Sequence, residues 1–222
     1  MSDYPLLERL RQMPLFADAA EESLAAMTRH AVLRRFTPGE TIYMEGDPSA
    51  GLWIMVSGRV KIYKLSADGA EYVLRIFGPG DTFNDLAALD GAPNAAGAST
   101  ITSVSAWVIP SEDFAAALAA DHALALAVIQ GLVGRQRRLI AQVEDLALRP
   151  VTARLARFLL TQVGDPALSH PAVTRALIAT HLATTSESIS RSLRSLESAG
   201  AIRFDRHRIL IVKPDILREL AQ

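Results

Sequence analysis

An α+β chain is the fold the sequence predicts: an N-terminal β-sandwich or barrel, a long helix and a C-terminal winged helix-turn-helix. Three observations predict it. Between Val32 and Ile109, short β-branched and aromatic runs alternate with glycine turns. From about Asp121 to Leu148, apolar residues recur at near-heptad spacing until Pro150 stops the pattern. After Pro150, two helical segments joined by a tight turn precede a hairpin-like tail, which is the plan of a winged helix-turn-helix.

The elements follow in chain order. Leu6, Leu7, Leu10 and Met13, then Leu24, Met27 and Ala31, repeat at helical spacing and predict short helices over 4–31. Strands are predicted at Thr41–Met44, Leu52–Val56, Arg59–Lys64, Glu71–Phe77, Ala98–Thr102 and Ser105–Ile109, with turns at Gly39, Gly46, Gly58, Gly69, Gly80 and Gly91. Pro110-Ser111-Glu112-Asp113 reads as a helix start with Ser111 as its N-cap. On the long helix, Ile129, Val133, Ile140 and Val143 form a stripe interrupted by Gln136, while Arg135, Arg137, Arg138, Glu144 and Asp145 occupy the other faces. Such a stripe either seams two copies together or packs on its own domain; the helix is long and lies between two domains, so a homodimer is expected. Helices are then predicted over 151–163, 174–182 and 185–199, with a loop at 164–171 and a hairpin at 201–212. The expected domains are 1–120 (sensor), 121–149 (dimerisation helix) and 150–222 (winged helix-turn-helix).

Composition narrows the function classes. The chain has 222 residues, half of them hydrophobic, enough to give each domain a core. No apolar run approaches the roughly 20 residues of a membrane span, and the first residues lack a signal-peptide pattern, so a cytoplasmic protein is expected. Without cysteine there is no disulfide, thiolate zinc site or cysteine-held iron–sulfur cluster. No G-x-S-x-G elbow, P-loop or H-E-x-x-H occurs, so no enzyme and no metal site is predicted. Residues 151–222 carry 10 Lys/Arg against 6 Asp/Glu, whereas the rest carries 13 against 18. A basic third on an acidic body suits double-stranded DNA as partner.

The second helix of the pair carries the reading chemistry. Ile189, Leu193 and Leu196 give one buried face, and Thr185 can cap the N-terminus. Glu187, Ser190 and Arg191 lie off that face and are the base-reading candidates. Arg donates in pairs to guanine, Glu accepts from cytosine, and Ser serves either partner. Thr174, Arg175, Thr185, Arg194, Arg206 and Arg208 are the candidates for DNA-backbone contact. A solvated amphipathic helix of the same composition is the plain alternative.

Over nearly its whole length the sequence resembles the CRP/FNR family (cyclic-AMP receptor protein/fumarate-nitrate reduction regulator). The roll glycines Gly39, Gly46, Gly58, Gly69 and Gly80 match in order, as do Thr174-Arg175, Ile178-Ala179, Glu187, Ser190-Arg191, Leu196-Glu197, Gly200 and Ile202. Two departures lie in the helix-turn-helix: Leu177 for an acidic residue and Ala183 for the turn glycine. The resemblance implies that the β domain is a jelly-roll-like β-roll sensor of the cyclic-nucleotide-binding type, and it implies a dimeric regulator of promoter DNA with RNA polymerase as a further partner. It places an effector pocket at Asn84, Asp85, Leu86, Asn94, Ala95, Ala96, Leu139 and Ile140. There Asp85 stands for the ribose-binding Glu, Ala95 for the phosphate-binding Arg, and Leu139-Ile140 for the hydroxyl pair that reaches adenine. Without that guanidinium a cyclic phosphate lacks charge compensation, so cyclic AMP is not expected to bind. The family includes haem sensors, but none of the five histidines (His30, His122, His170, His181, His207) falls in 32–109, so haem is not expected. Glu187-x-x-Ser190-Arg191 resembles the branch reading TTGAT paired with ATCAA; branches reading TGTGA carry Arg where Ser186 stands. Effector gating, activity set by abundance, and a ligand-binding adaptor without DNA function stay open.

Overall fold

The computed structural model describes residues 6–162, 173–205 and 209–222. The loop expected at 164–171, His170, and the wing residues Arg206, His207 and Arg208 lie outside them. The chain divides into two compact units, Met1–Ile62 with Phe77–Arg138, and Tyr63–Ile76 with Leu139–Gln222.

In the first unit, α1 (Leu6–Arg11), a 3-10 turn (Pro14–Phe16) and α2 (Glu21–Thr28) precede the strands. The roll strands are β1 (Val32–Phe36), β2 (Thr41–Tyr43), β3 (Leu52–Ser57), β4 (Val60–Leu65), β5 (Glu71–Phe77), β6 (Thr82–Phe83), β7 (Gly97–Thr100) and β8 (Val104–Ile109). They form two four-stranded sheets, ordered β1-β8-β3-β6 and β2-β7-β4-β5. Strand β3 pairs antiparallel with both its neighbours, placing Trp53 opposite Val108 of β8 and Ile54 opposite Thr82 of β6.

Strand β3 is apolar on both sides because it separates two cores. Leu52 and Ile54 pack with Leu10, Met27, Phe114, Leu124 and Val128, whereas Trp53 and Met55 pack with Val60, Phe83, Ala98 and Val104. The two-residue period of a strand makes that division. Two glycines are obligatory at the joins. A Cβ on Gly51 (φ +127°) would lie 1.9 Å from the Ile109 carbonyl oxygen, and one on Gly58 (φ +84°) 2.1 Å from that of Ser103.

α3 (Asp85–Asp90), α4 (Ser111–Ala120) and α5 (His122–Leu148) complete the regular elements through the long helix. Two expected boundaries are corrected. Ser111 is the first residue of α4 rather than its cap; Pro110 holds the cap position, and the Ser111 hydroxyl is buried without a hydrogen bond. Asp121 lies outside α5 and serves its start: one carboxylate oxygen accepts from the Leu124 amide at 3.0 Å, the other from the Ala20 amide at 2.7 Å. Those hydrogen bonds hold its pKa below the usual carboxylate range.

The second unit contains α6 (Val151–Gln162), α7 (Arg175–His181), α8 (Ser186–Ser198), β9 (Ile202–Phe204), β10 (Ile209–Ile211) and α9 (Pro214–Leu220). Leu155, Leu159, Ile178, Ile189, Leu193, Leu196, Ile202 and Leu217 form its core. Arg149 and Arg157 both bind Asp145, and Arg149 also reaches the Ala221 carbonyl, fastening the end of α5 to α6 and α9. Among the described residues no single helix is long and apolar enough to cross a membrane.

Candidate nucleic-acid interface and effector cradle

Capping and burial set the reading helix. Thr185 precedes α8, and its hydroxyl accepts from the Ser188 amide at 3.1 Å, as its position predicts. Thr174 does the same for α7, accepting from the Leu177 amide at 3.3 Å. Ala183 joins the two helices with φ +48°, a left-handed turn achieved without glycine. Ile189, Leu193 and Leu196 are wholly buried. At the far end Gly200 (φ +74°) reverses the chain, and the Ala201 amide donates to the Leu196 carbonyl at 3.0 Å.

This burial leaves Glu187, Arg191 and Arg194 exposed, with Ser190 half-buried beside them. Glu187 and Arg191, one turn apart, form an ion pair at 2.8 Å, with 82% and 75% of their side chains exposed. A pair so exposed is held by little, about 0–1 kcal/mol, so both groups are readily released to a partner. Ser190 donates to the Ser186 carbonyl at 2.9 Å, which leaves its oxygen free to accept. Arg175 is committed elsewhere: it donates to the Asp205 carbonyl at 2.5 Å and lies 5.1 Å over the Phe204 ring. It therefore braces the hairpin.

His181, at the end of α7, belongs to a structural contact. Its Nδ1–H donates to the Val73 carbonyl of β5 at 2.9 Å, and its ring lies 5.4 Å from Phe158. Burial pushes its pKa below the ordinary imidazole value, against the opposing pull of that hydrogen bond. Beside Val73, the Tyr72 hydroxyl accepts from Gln142 at 2.8 Å. The strand β5 thus touches both α5 and α7 within the second unit.

The cradle of the first unit is built around the start of α3. Asn84 takes a left-handed conformation (φ +63°), and its amide donates to the Ser49 hydroxyl and the Gly51 carbonyl, both at 3.2 Å. Asp85 follows and is paired with Arg135 of α5, with 15% and 25% of their side chains exposed. The second guanidinium nitrogen donates to the buried Thr82 hydroxyl at 2.8 Å. Arg135, which the sequence places on a face of α5 away from the apolar stripe, thus meets the roll. Leu52, Phe114, Val128 and Leu132 form the apolar wall of the crevice that Thr82, Asp85 and Arg135 close at its polar end. Burial and then the charge of Asp85 push the Tyr43 hydroxyl above its ordinary range.

The remaining cradle residues differ in setting. Leu86 is exposed on α3, Ala95 is exposed, and Ala96 is buried. Asn94 is 1% exposed and neither atom of its side-chain amide has a protein partner. Leu139 and Ile140, in the second unit, are 56% and 61% exposed on α5. Exposure also marks Ile129, Val133, Gln136 and Val143, so the predicted stripe runs along α5 uncovered within the single chain. The residues present do not fit a cyclic phosphate: position 95 supplies a methyl group, and the Arg135 guanidinium is already neutralised by Asp85.

Sequence reasoning passed over Thr82, Arg135, Tyr72 and Gln142. The available signal was the pairing of an uncompensated acid at Asp85 with an arginine one turn before Leu139.

Residues 33–121 match the family model of the cyclic nucleotide-binding domain, and residues 153–220 that of the Crp-like helix-turn-helix domain. The chain is 29% identical over 222 residues to the CRP-like cAMP-activated global transcriptional regulator of Mycobacterium tuberculosis, covering 97% of this chain and 99% of that one. It is 29% identical to a solved CRP-family transcriptional regulator from Thermus thermophilus, with a TM-score of 0.69 over 85% of this chain and 96% of the other. FixK2 from Bradyrhizobium japonicum has the same fold, with a TM-score of 0.78 at 24% identity over 86% and 98% of the two chains. With a cyclic nucleotide-binding-type roll, a long helix and a Crp-like helix-turn-helix in that order, the chain belongs to the CRP/FNR family of transcriptional regulators.

Proposed function

We propose that this regulator acts in the cytoplasm as a homodimer on inverted-repeat promoter sites with TTGAT-like half-sites. The observation that carries this reading is the exposed Glu187 and Arg191, with the half-buried Ser190 beside them, on a helix whose other face is fully buried. Arg191 donates to the guanine of TTGA, Glu187 accepts from the paired cytosine, and Ser190 contacts the thymine side. Thr174, Thr185, Arg194, Arg206 and Arg208 serve the backbone, and Arg175 does so once released from Asp205. The functional division is 1–120, 121–149 and 150–222. Ile129, Val133, Gln136, Ile140 and Val143 seam α5 to its copy, which sets two reading helices about 34 Å apart on one face of the duplex. RNA polymerase is the partner that such promoter sites imply.

The mycobacterial relative is cAMP-activated by name. The cradle of this chain supports a different chemistry, with no cyclic AMP and no haem. A gel shift tests the reading. The protein should retard a TTGAT–ATCAA inverted repeat and leave a scrambled duplex of equal length unshifted. Equal retardation of both would overturn sequence-specific reading.

A further inference from the structure

We propose that Ser192 is a positioning residue for DNA reading: its hydroxyl, bonded to that of Thr152, fixes the rotation of α8 about its axis and so where Glu187 and Arg191 meet the base edges. The inference rests on the DNA-binding reading above and concerns its specificity.

Ser192 is 5% exposed and lies on the buried face of α8 beside Ile189, Leu193 and Leu196, which are wholly buried. Those three share a core with Leu155 and Leu159 of α6. In the first turn of α6, the Thr152 hydroxyl donates to the Ser192 hydroxyl at 3.0 Å. An apolar residue of similar size at either position would be buried at no desolvation cost, so the drive to bury surface does not account for the pair. What the pair adds is direction. Apolar burial has no preferred orientation, whereas a hydrogen bond weakens steeply once its distance or angle leaves the optimum. The two hydroxyls therefore select one angular setting of α8 among the neighbouring ones that its leucines and isoleucine would accept.

That setting matters on the reading face. A rotation of about 20° moves a side-chain tip by roughly 2 Å at the outer radius of a helix. Such a shift exceeds what a bidentate contact to guanine tolerates. Ser192 directly follows Arg191, so the contact acts one residue from the side chain it serves. Other polar contacts of α8 have different work. Thr185 caps its start, Glu187 pairs with Arg191, and Ser190 bonds to Ser186 within the helix. Glu197 accepts from the Phe204 amide at 3.3 Å, at the far end of the helix from Glu187.

The test uses the full chain, dialysed, and compares wild type with Ser192→Ala, Thr152→Val, the double variant Thr152→Val/Ser192→Ala and Thr152→Ser. Fluorescence anisotropy reads the best site from a random pool, that site with each base pair changed in turn, and a scrambled duplex. Melting temperature and salt dependence are measured alongside. Both single variants should lose about five-fold in discrimination at the base pairs that Arg191→Ala also relaxes, a part of what a full bidentate contact confers. Their affinity for the scrambled duplex and their salt dependence should not change, because no phosphate contact is removed. The double variant should be no worse than either single variant, since all three break the same bond. Thr152→Ser keeps the hydroxyl and should read DNA as wild type does. Unchanged discrimination in both single variants would overturn the proposal while leaving the DNA-binding reading intact. So would single effects that add in the double variant, or a loss that falls equally on the best and scrambled duplexes and follows melting temperature. A wild type that selects no sequence would overturn the DNA-binding reading as well.

Discussion

The reading head and the effector cradle resemble their family in opposite ways. In the proposed reading head, Ile189, Leu193 and Leu196 are buried, and Glu187, Ser190 and Arg191, the residues proposed to read bases, lie off that face. In the cradle the roll is formed, and the polar groups at the start of α3 are committed to partners, while the buried Asn94 amide has none. Asp85 holds Arg135, Asn84 holds Ser49 and Gly51, and position 95 has no polar group. A β-roll is maintained by turn glycines and alternating apolar residues, none of which touch a ligand. Its ligand chemistry can therefore change while the fold stays. A recognition helix lacks that freedom, because its buried face and its reading face share every turn.

The largest effect is expected at the stripe of α5. Ile140→Asp places a charge in the proposed apolar seam between copies, at a cost of several kcal/mol. Sedimentation should show monomers and DNA binding should collapse; a wild type that is monomeric at micromolar concentration would remove the seam. Next comes the reading face. Arg191→Ala should cost about 1–3 kcal/mol on the preferred site and relax the preference at one guanine. Arg194→Ala should instead weaken all sequences alike and lower the salt dependence by about one counterion.

A smaller effect concerns the second unit. His181 is held neutral by burial, so its folded pKa lies below the unfolded value. Its contribution is complete above the ordinary imidazole value of 6.5 and is lost as pH falls through the depressed folded value. Melting temperature should therefore drop on mild acidification, and His181→Gln, which keeps a donor for Val73, should reduce that drop. An identical drop in both proteins would place the titration elsewhere. The smallest expected effect is on the cradle itself: calorimetry with cyclic AMP should give no binding in the low-micromolar range, and a saturable low-micromolar isotherm would restore the cradle's ligand chemistry.

Much of the fold was legible because its signals are periodic or conformational. The expected turns at Gly39, Gly46, Gly58, Gly69 and Gly80 all have positive φ, and the 3.6-residue spacing of α8 assigned its faces correctly. Elements too short for a period were missed. β6 has two residues, α3 has six and α9 has seven, while β1 carries Arg34 and Arg35, which break its alternation. At the site, substitutions such as Ala95 could be read one position at a time. The Arg135–Asp85–Thr82 contact could not, because its members are far apart in the chain and only the packing of α5 on the roll brings them together. A helix with one strong apolar stripe leaves its second, weaker contact face, here the one that carries Arg135, unmarked in the sequence.

If the exposed face of α8 reads TTGAT without help from a cyclic nucleotide, selection of bound duplexes from a random pool by the dialysed protein will show it. The predicted result is enrichment of a TTGAT–ATCAA inverted repeat without added cyclic nucleotide. Enrichment of a motif lacking the TTGA core, or of no motif at all, would contradict it.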